Sequence, residues 1–180
     1  MAIPTIITPR LRLRAFADAD ADRLHHLMGE KDVLRYFPTT DPPAREQVEA
    51  MIAGQRSHWA THGHGLWAVE SRASGALMGR SGLQYISATG EVEVDFLFGP
   101  AFWGRGFATE AGAASLGHGF ETVRLDQVIG IVHPEHTASQ HVLEKLGLRR
   151  MERTRYFGMD CIRYLIERSQ YAIRLSADWH

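Results

Sequence analysis

Near the start of the chain, Leu11, Leu13 and Ala15 alternate with Arg10, Arg12 and Arg14. A period of two predicts a strand with one buried face. Helical spacing follows, with Asp18 standing as a cap before Leu24, Leu27 and Met28. Asp41-Pro42-Pro43 reads as a second helix start, because the first turn leaves N–H groups unpaired and tolerates proline. Val48, Met51, Ile52 and Trp59 then form an apolar stripe that Gly63 and Gly65 end. Three strands are expected at 66–70, 77–83 and 91–98, with turns at Gly75 and Thr89-Gly90. They form an antiparallel meander. A glycine-rich loop leads into a helix over about 108–122, and 128–132 is an apolar strand. Thr137-Ala138-Ser139-Gln140 is expected to open a further helix as a capping box, with Val142, Leu143 and Leu146 inward and Gly147 at its end. Two strands, 149–156 and 161–167, finish the pattern, and the tail 168–180 carries no assignment.

Composition narrows the class. The 180 residues are 44% apolar and 23% charged, as expected for one globular domain spanning 1–180. No apolar run is long enough to span a bilayer. The start, Met1-Ala2-Ile3-Pro4-Thr5-Ile6-Ile7, is apolar but short, and lacks the basic lead-in and cleavage site of a signal peptide. The expectation is a cytoplasmic protein with no membrane partner. One cysteine, Cys161, allows no internal disulfide. A net charge of −1 without a dense Lys/Arg cluster disfavours nucleic acid as a partner.

Candidate chemistry begins after the third meander strand. Trp103-Gly104-Arg105-Gly106-Phe107-Ala108-Thr109-Glu110 runs from a strand into a helix. Two glycines permit positive φ and close backbone approach, and a helix N-terminus offers free N–H groups and a positive dipole end. Together these suit a phosphate or pyrophosphate, and Arg105 can add a charge-assisted contact. A Rossmann loop would need a third glycine where Thr109 stands, and a phosphate-binding P-loop would need Gly-Lys-Ser/Thr. A plain strand-to-helix turn remains the alternative at this point.

Three ordered blocks give a more specific signal. Thr8-Pro9-Arg10-Leu11-Arg12-Leu13-Arg14, Phe102-Trp103-Gly104-Arg105-Gly106-Phe107-Ala108-Thr109-Glu110-Ala111, and Thr137-Ala138-Ser139-Gln140-His141-Val142-Leu143-Glu144-Lys145-Leu146-Gly147-Leu148 follow one another within 8–168. This order resembles the GNAT N-acetyltransferase superfamily, in particular its ribosomal-protein N-terminal alanine acetyltransferase subgroup. The superfamily motif Gln/Arg-x-x-Gly-x-Gly/Ala matches 103–108 except at Trp103, and tryptophan is familiar there in that subgroup. The resemblance implies an α/β fold of GNAT acyl-CoA N-acyltransferase type, a mixed, largely antiparallel sheet flanked by helices. A V-shaped opening between its fourth and fifth strands would hold the acyl-CoA.

The resemblance also implies roles. Trp103, Gly104, Arg105, Gly106, Phe107 and Ala108 would bind the pyrophosphate. The pantetheine arm would lie beside Phe96, Leu97 and Phe98, where a main-chain N–H would polarise the thioester carbonyl; the phenylalanines would also serve as core. Glu93 stands where several members carry a general base, and a carboxylate can take the proton an amine must lose. Alternation puts Glu91, Glu93 and Asp95 on one face, where they are expected to raise one another's pKa and attract a cationic amine; a solvated acidic face is the plainer alternative. Ser139 matches a position near the leaving thiolate, or else is a helix-start serine. His136 replaces the usual asparagine and would contact the pantetheine arm. Tyr156 would be an acid in some members, with packing as its simpler role.

The implied reaction is acetyl transfer from acetyl-CoA, a cosubstrate, to a protein N-terminus or small amine by direct attack. A non-catalytic acyl-CoA sensor and a transferase of longer acyl groups are the alternatives. Acceptor contacts would come from about 18–62 and the last hairpin, and a homodimer is compatible with all of this. His133-Pro134-Glu135-His136 and His62-Gly63-His64 lack metal-site spacing, so no metal is expected. Cys161 reads as core.

Overall fold

The computed structural model describes residues 2–177. Met1 of the apolar start and 178–180 of the unassigned tail lie outside the described residues. The strands are β1 (Ile6–Ile7), β2 (Leu11–Arg14), β3 (Leu66–Ser71), β4 (Leu77–Ile86), β5 (Glu91–Phe98), β6 (Gln127–Val132), β7 (Arg149–Tyr156) and β8 (Met159–Glu167). The helices are α1 (Asp20–Gly29), α2 (Arg45–His62), α3 (Phe107–Gly117), α4 (Thr137–Lys145) and α5 (Arg168–Ala177). All eight strands form one sheet in the order β1-β2-β3-β4-β5-β6-β8-β7. Every neighbouring pair is antiparallel except β5 and β6. Among the described residues no helix is long and apolar enough to cross a membrane.

Strand β3 shows why the middle of the chain is apolar without alternation. Leu66 and Ala68 pack with Phe16, Leu24, Val48 and Ile52 on the side of α1 and α2. Trp67 and Val69 pack with Phe107 and Ala111 of α3 on the opposite side. A strand covered on both faces has no polar face to display.

The parallel pair creates the site. β4 holds β5 along its whole length, from Ile86↔Glu91 to Gly79↔Phe98. On its other edge β5 meets β6 in register at Glu93↔Ile129. No register pair follows among the described residues, although β5 continues to Phe98 and β6 to Val132. The two strands therefore part just beyond Glu93, which is the V-shaped opening expected above.

Several local expectations are corrected. Asp18 does not cap α1; its carboxylate pairs with Arg56, and the helix begins at Asp20 with Ala19 as an N-cap that makes no side-chain bond. Asp20 instead accepts the N–H of Ala17 and both terminal nitrogens of Arg14, which also reaches Glu70. Pro42 and Pro43 lie ahead of α2, whose N-cap is Ala44 with its N–H donated to Gln47. The helix expected over 108–122 stops at Gly117 and gives way to a wider turn over His118–Val123, ended by Arg124 at φ 66°. The capping box at Thr137 does not form. His136 is the N-cap, and Gln140 turns its amide to the carbonyl of Pro134. A two-residue β1 and the terminal α5 carry too little periodicity to be read from sequence.

Candidate active site

The 103–108 loop is built from both ends. A single 3-10 turn, Pro100–Phe102, redirects the chain after β5. The Trp103 indole N–H then donates to the carbonyl of Phe98, 2.7 Å away, while the ring stays 48% exposed. Gly104 and Gly106 adopt φ values of 68° and 79°, a left-handed geometry that costs a side-chain-bearing residue energy. Gly106 is the N-cap of α3, so the first N–H groups of that helix face outward with its positive dipole end. The Phe107 side chain is buried in the core, and Ala108 packs at its border. Phe107 therefore meets a ligand through its main chain. The guanidinium of Arg105 lies 5.0 Å from the Phe107 ring centre.

Sequence reading did not foresee what holds this loop. Glu110, one turn into α3, accepts the Thr8 hydroxyl at 2.6 Å, the Arg10 N–H at 2.9 Å and Arg10 Nε at 2.6 Å. Arg10 also donates to the carbonyl of Arg105 at 2.8 Å and covers the Phe107 ring at 4.4 Å. Burial pushes the Glu110 carboxyl up, but these hydrogen bonds outweigh it and hold the group below the usual carboxylate range. Thr8 and Arg10, far in sequence from Glu110, thus form with it one clasp around the loop.

A cavity of about 720 Å³ opens where β5 and β6 part. Glu93, Asp95, Phe96, His136 and Ser139 all line it. Leu97 and Phe98 are buried beneath, so that stretch of β5 offers its main chain rather than its side chains. The expectation that three carboxylates raise one another fails for Glu91. Burial raises Glu91, but the Tyr156 hydroxyl at 2.7 Å and Arg163 at 2.8 Å bring it below its ordinary value. Asp95 is paired with Arg80, a guanidinium only 7% exposed. Glu93 has a pKa raised well above the ordinary value. Burial is the main cause and the charge of Asp95 adds to it, while Arg80 and the N–H of Ile131 pull the other way.

On the opposite wall, His136 stacks on Tyr36 with ring centres 4.5 Å apart. Its Nε2 lies 2.9 Å from Ser139 Oγ. Burial, and to a smaller degree His133, lowers the His136 pKa, so the ring is neutral at neutral pH. Tyr156 is not part of this wall. It is packed with Ile86, Ile129 and Leu165, and burial, then the hydrogen bond it gives to Glu91, pushes its pKa up to about 12. Cys161 is fully buried. His64 is buried against the carbonyl of Leu83, and His62 stacks on Tyr85. Among the described residues no group of three or more His, Cys, Asp or Glu is placed to hold a metal ion. Tyr36, Phe37, His58, Arg80, Tyr85 and Phe157 also line the cavity and carried no motif in the sequence.

Comparison with known proteins follows the same outline. Residues 10–149 match the family model described as acetyltransferase (GNAT) domain. The chain is similar to the uncharacterized protein YkkB of Bacillus subtilis (strain 168), 28% identical over 146 residues, covering 79% of this chain and 84% of that protein. It is also similar to the uncharacterized N-acetyltransferase YoaA of the same strain, 26% identical over 148 residues, covering 82% of this chain and 84% of that one. Among solved structures, the acetyltransferase from Agrobacterium tumefaciens str. C58 superposes with a TM-score of 0.81 at 25% identity, over 93% of this chain and 96% of that chain.

Proposed function

The chain belongs to the acetyltransferase (GNAT) domain family, and from that premise we propose that it moves an acetyl group from acetyl-CoA to a primary amine, with Glu93 as the base. The observation that carries this reading is the position of Glu93. It stands at the last register pair before β5 and β6 part, and its carboxyl has a raised pKa inside the cavity. A base poised nearer to neutral pH takes and releases a proton more readily than an ordinary carboxylate.

The remaining parts fit the same direct transfer. The 103–108 loop would receive the CoA pyrophosphate through main-chain N–H groups and the α3 dipole. Trp103 supports the loop and does not supply a donor, because its indole N–H is already engaged by Phe98. The free edge of β5 beyond Glu93 offers main-chain N–H groups to the pantetheine arm and the thioester oxygen. The amine proton passes to Glu93, directly or through water, and the amine nitrogen attacks the carbonyl carbon. The C–S bond then breaks, and the thiolate takes a proton from the Ser139 hydroxyl, which regains one from water. His136, neutral at neutral pH, positions that hydroxyl through the 2.9 Å contact of its Nε2.

The test is CoA release from acetyl-CoA with a mixture of primary amines. The parent protein should release CoA, and Glu93→Gln should bind acetyl-CoA equally in calorimetry but turn over roughly 10²–10⁴-fold more slowly at neutral pH. A chain that only binds acyl-CoA would release none. Full activity in Glu93→Gln would remove the residue from the mechanism.

A further inference from the structure

The acceptor end of the cavity carries a chemical description of its own. Its charged lining residues, among those described, are Arg80, Glu93 and Asp95. Arg80 and Asp95 neutralise each other in an ion pair, and Glu93 has no ion pair among the described residues. The His58 ring adds no charge at neutral pH on the acceptor side. Burial, and then His62 and His64, lower the His58 pKa to about 4, and its Nε2 accepts the N–H of Tyr85. Glu93 is therefore the one carboxyl of the cavity without an ion pair among the described residues, facing a wall of uncharged side chains, and an ammonium beside it favours its ionised form.

That wall is aromatic, and one of its members is held there against backbone preference. Phe157 and Gly158 form the two-residue turn between β7 and β8, flanked by the Tyr156↔Met159 pair. Both have positive φ, 54° and 75°. Such turns favour Asn-Gly or Gly-Gly, because a bulky side chain at positive φ is strained. The Phe157 ring is 61% exposed, so burial in this chain does not offset the strain. It lines the cavity together with Phe37, from the connection after α1, and Tyr85 of β4. Strain kept at a pocket rim without a packing gain points to a ligand contact.

We propose that the acceptor is a primary amine with a single positive charge joined to an apolar or aromatic body, the charge beside Glu93 and the body between Phe37, Tyr85 and Phe157. The proposal rests on the acetyl-transfer reading of the same site. A polycation would leave its additional charges against uncharged walls, where nothing compensates their loss of water. An aromatic body gains contact area, and the ammonium gains the ring faces as well as the carboxylate. A free arylalkylamine and a peptide with an apolar N-terminal residue share this chemistry.

The experiment compares phenethylamine, a peptide beginning Phe-Ala, spermidine and kanamycin as acceptors with acetyl-CoA, by CoA release. Phenethylamine or the Phe-Ala peptide should have a KM at least roughly 10-fold below those of spermidine and kanamycin, the scale at which an apolar pocket discriminates. The lower KM of the first two identifies the source. Phe157→Asn should melt at the parent temperature or above, because asparagine accepts positive φ more readily. The same variant should raise the KM of the preferred apolar amine roughly 10-fold without altering acetyl-CoA affinity, and Phe157→Leu should lie between. Equal or better use of spermidine or kanamycin overturns this substrate class and leaves acetyl transfer standing. So does a Phe157→Asn variant with the parent KM. No CoA release with any amine, from protein that binds acetyl-CoA in calorimetry, overturns both readings.

Discussion

Glu93 shows how far a single residue can be read. Its place on β5 and its face follow from alternation, but its protonation does not. The cations that separate it from its neighbours, Arg163 beside Glu91 and Arg80 beside Asp95, come from other strands. With a folded pKa above the unfolded one, the neutral form of Glu93 is favoured by folding. Below its ordinary value near 4.5, folded and unfolded chains both carry the neutral form and the residue costs nothing. As pH rises toward the raised folded pKa, the cost of ionising this half-buried carboxyl accumulates. Glu93→Gln should therefore melt with the parent near pH 4 and at progressively higher temperature than the parent as pH rises. Coincident melting temperatures across that range would mean that the carboxyl is not perturbed. Ser139 makes a second test at this scale. It is not the cap of α4, which is His136, so Ser139→Ala should change stability by roughly 1 kcal/mol or less, the worth of one hydrogen bond. As the proposed proton source it should cost about 10-fold in kcat with acetyl-CoA affinity unchanged, because the bond strengthens only as charge develops on sulfur. A parent kcat would leave the thiolate to water, since Tyr156 is held by Glu91 away from the cavity.

At the scale of elements, the loop and the clasp work as one unit. The glycines at 104 and 106 set the turn, and α3 supplies the dipole. The clasp from Thr8 and Arg10 to Glu110 ties the loop to β2. Gly106→Val places a branched side chain at φ 79°, toward Arg10. It should weaken acetyl-CoA binding at least roughly 10-fold in calorimetry while the chain stays folded by circular dichroism. Unchanged affinity in a folded variant would move the pyrophosphate elsewhere. The strand and helix pattern from β3 to β8 was legible because apolar runs bounded by glycine turns mark most of its elements. The caps were not. Asp18 and Thr137 are good capping residues that the structure leaves unused as caps, because Asp18 meets Arg56 and His136 takes the end of α4 to stack on Tyr36. Tertiary contacts overrode local preference at both places. The residues of the proposed acceptor wall carried no motif, since Phe37, Tyr85 and Phe157 come from three distant segments without shared spacing, although Phe37 and Phe157 fall in the two segments expected to meet the acceptor.

For the whole molecule, three carboxylates with lowered pKa join segments that are remote in sequence. Asp20 ties α1 to Arg14 of β2, Glu91 ties β5 to Arg163 of β8, and Glu110 ties α3 to the turn before β2. In each, burial alone would raise the pKa, and hydrogen bonds from the named partners reverse it. A group with a depressed folded pKa gives stability that is complete above its unfolded value, 3.8 for aspartate and 4.5 for glutamate. That stability is lost as pH falls through the folded pKa. Glu93 has the opposite sign and acts above the same values. Melting temperature plotted against pH should thus fall steeply on the acid side of about 4.5, and Glu93→Gln should lift only the other side. Glu110→Gln should flatten part of the acid fall, because one of the three contributions is gone at every pH. Its loss at neutral pH should be roughly 1–3 kcal/mol, the range for hydrogen bonds to a charged group, toward the low end because the Arg10 side chain is 48% exposed. An acid limb of unchanged slope in Glu110→Gln would show that the clasp does not hold β2 to α3 in solution.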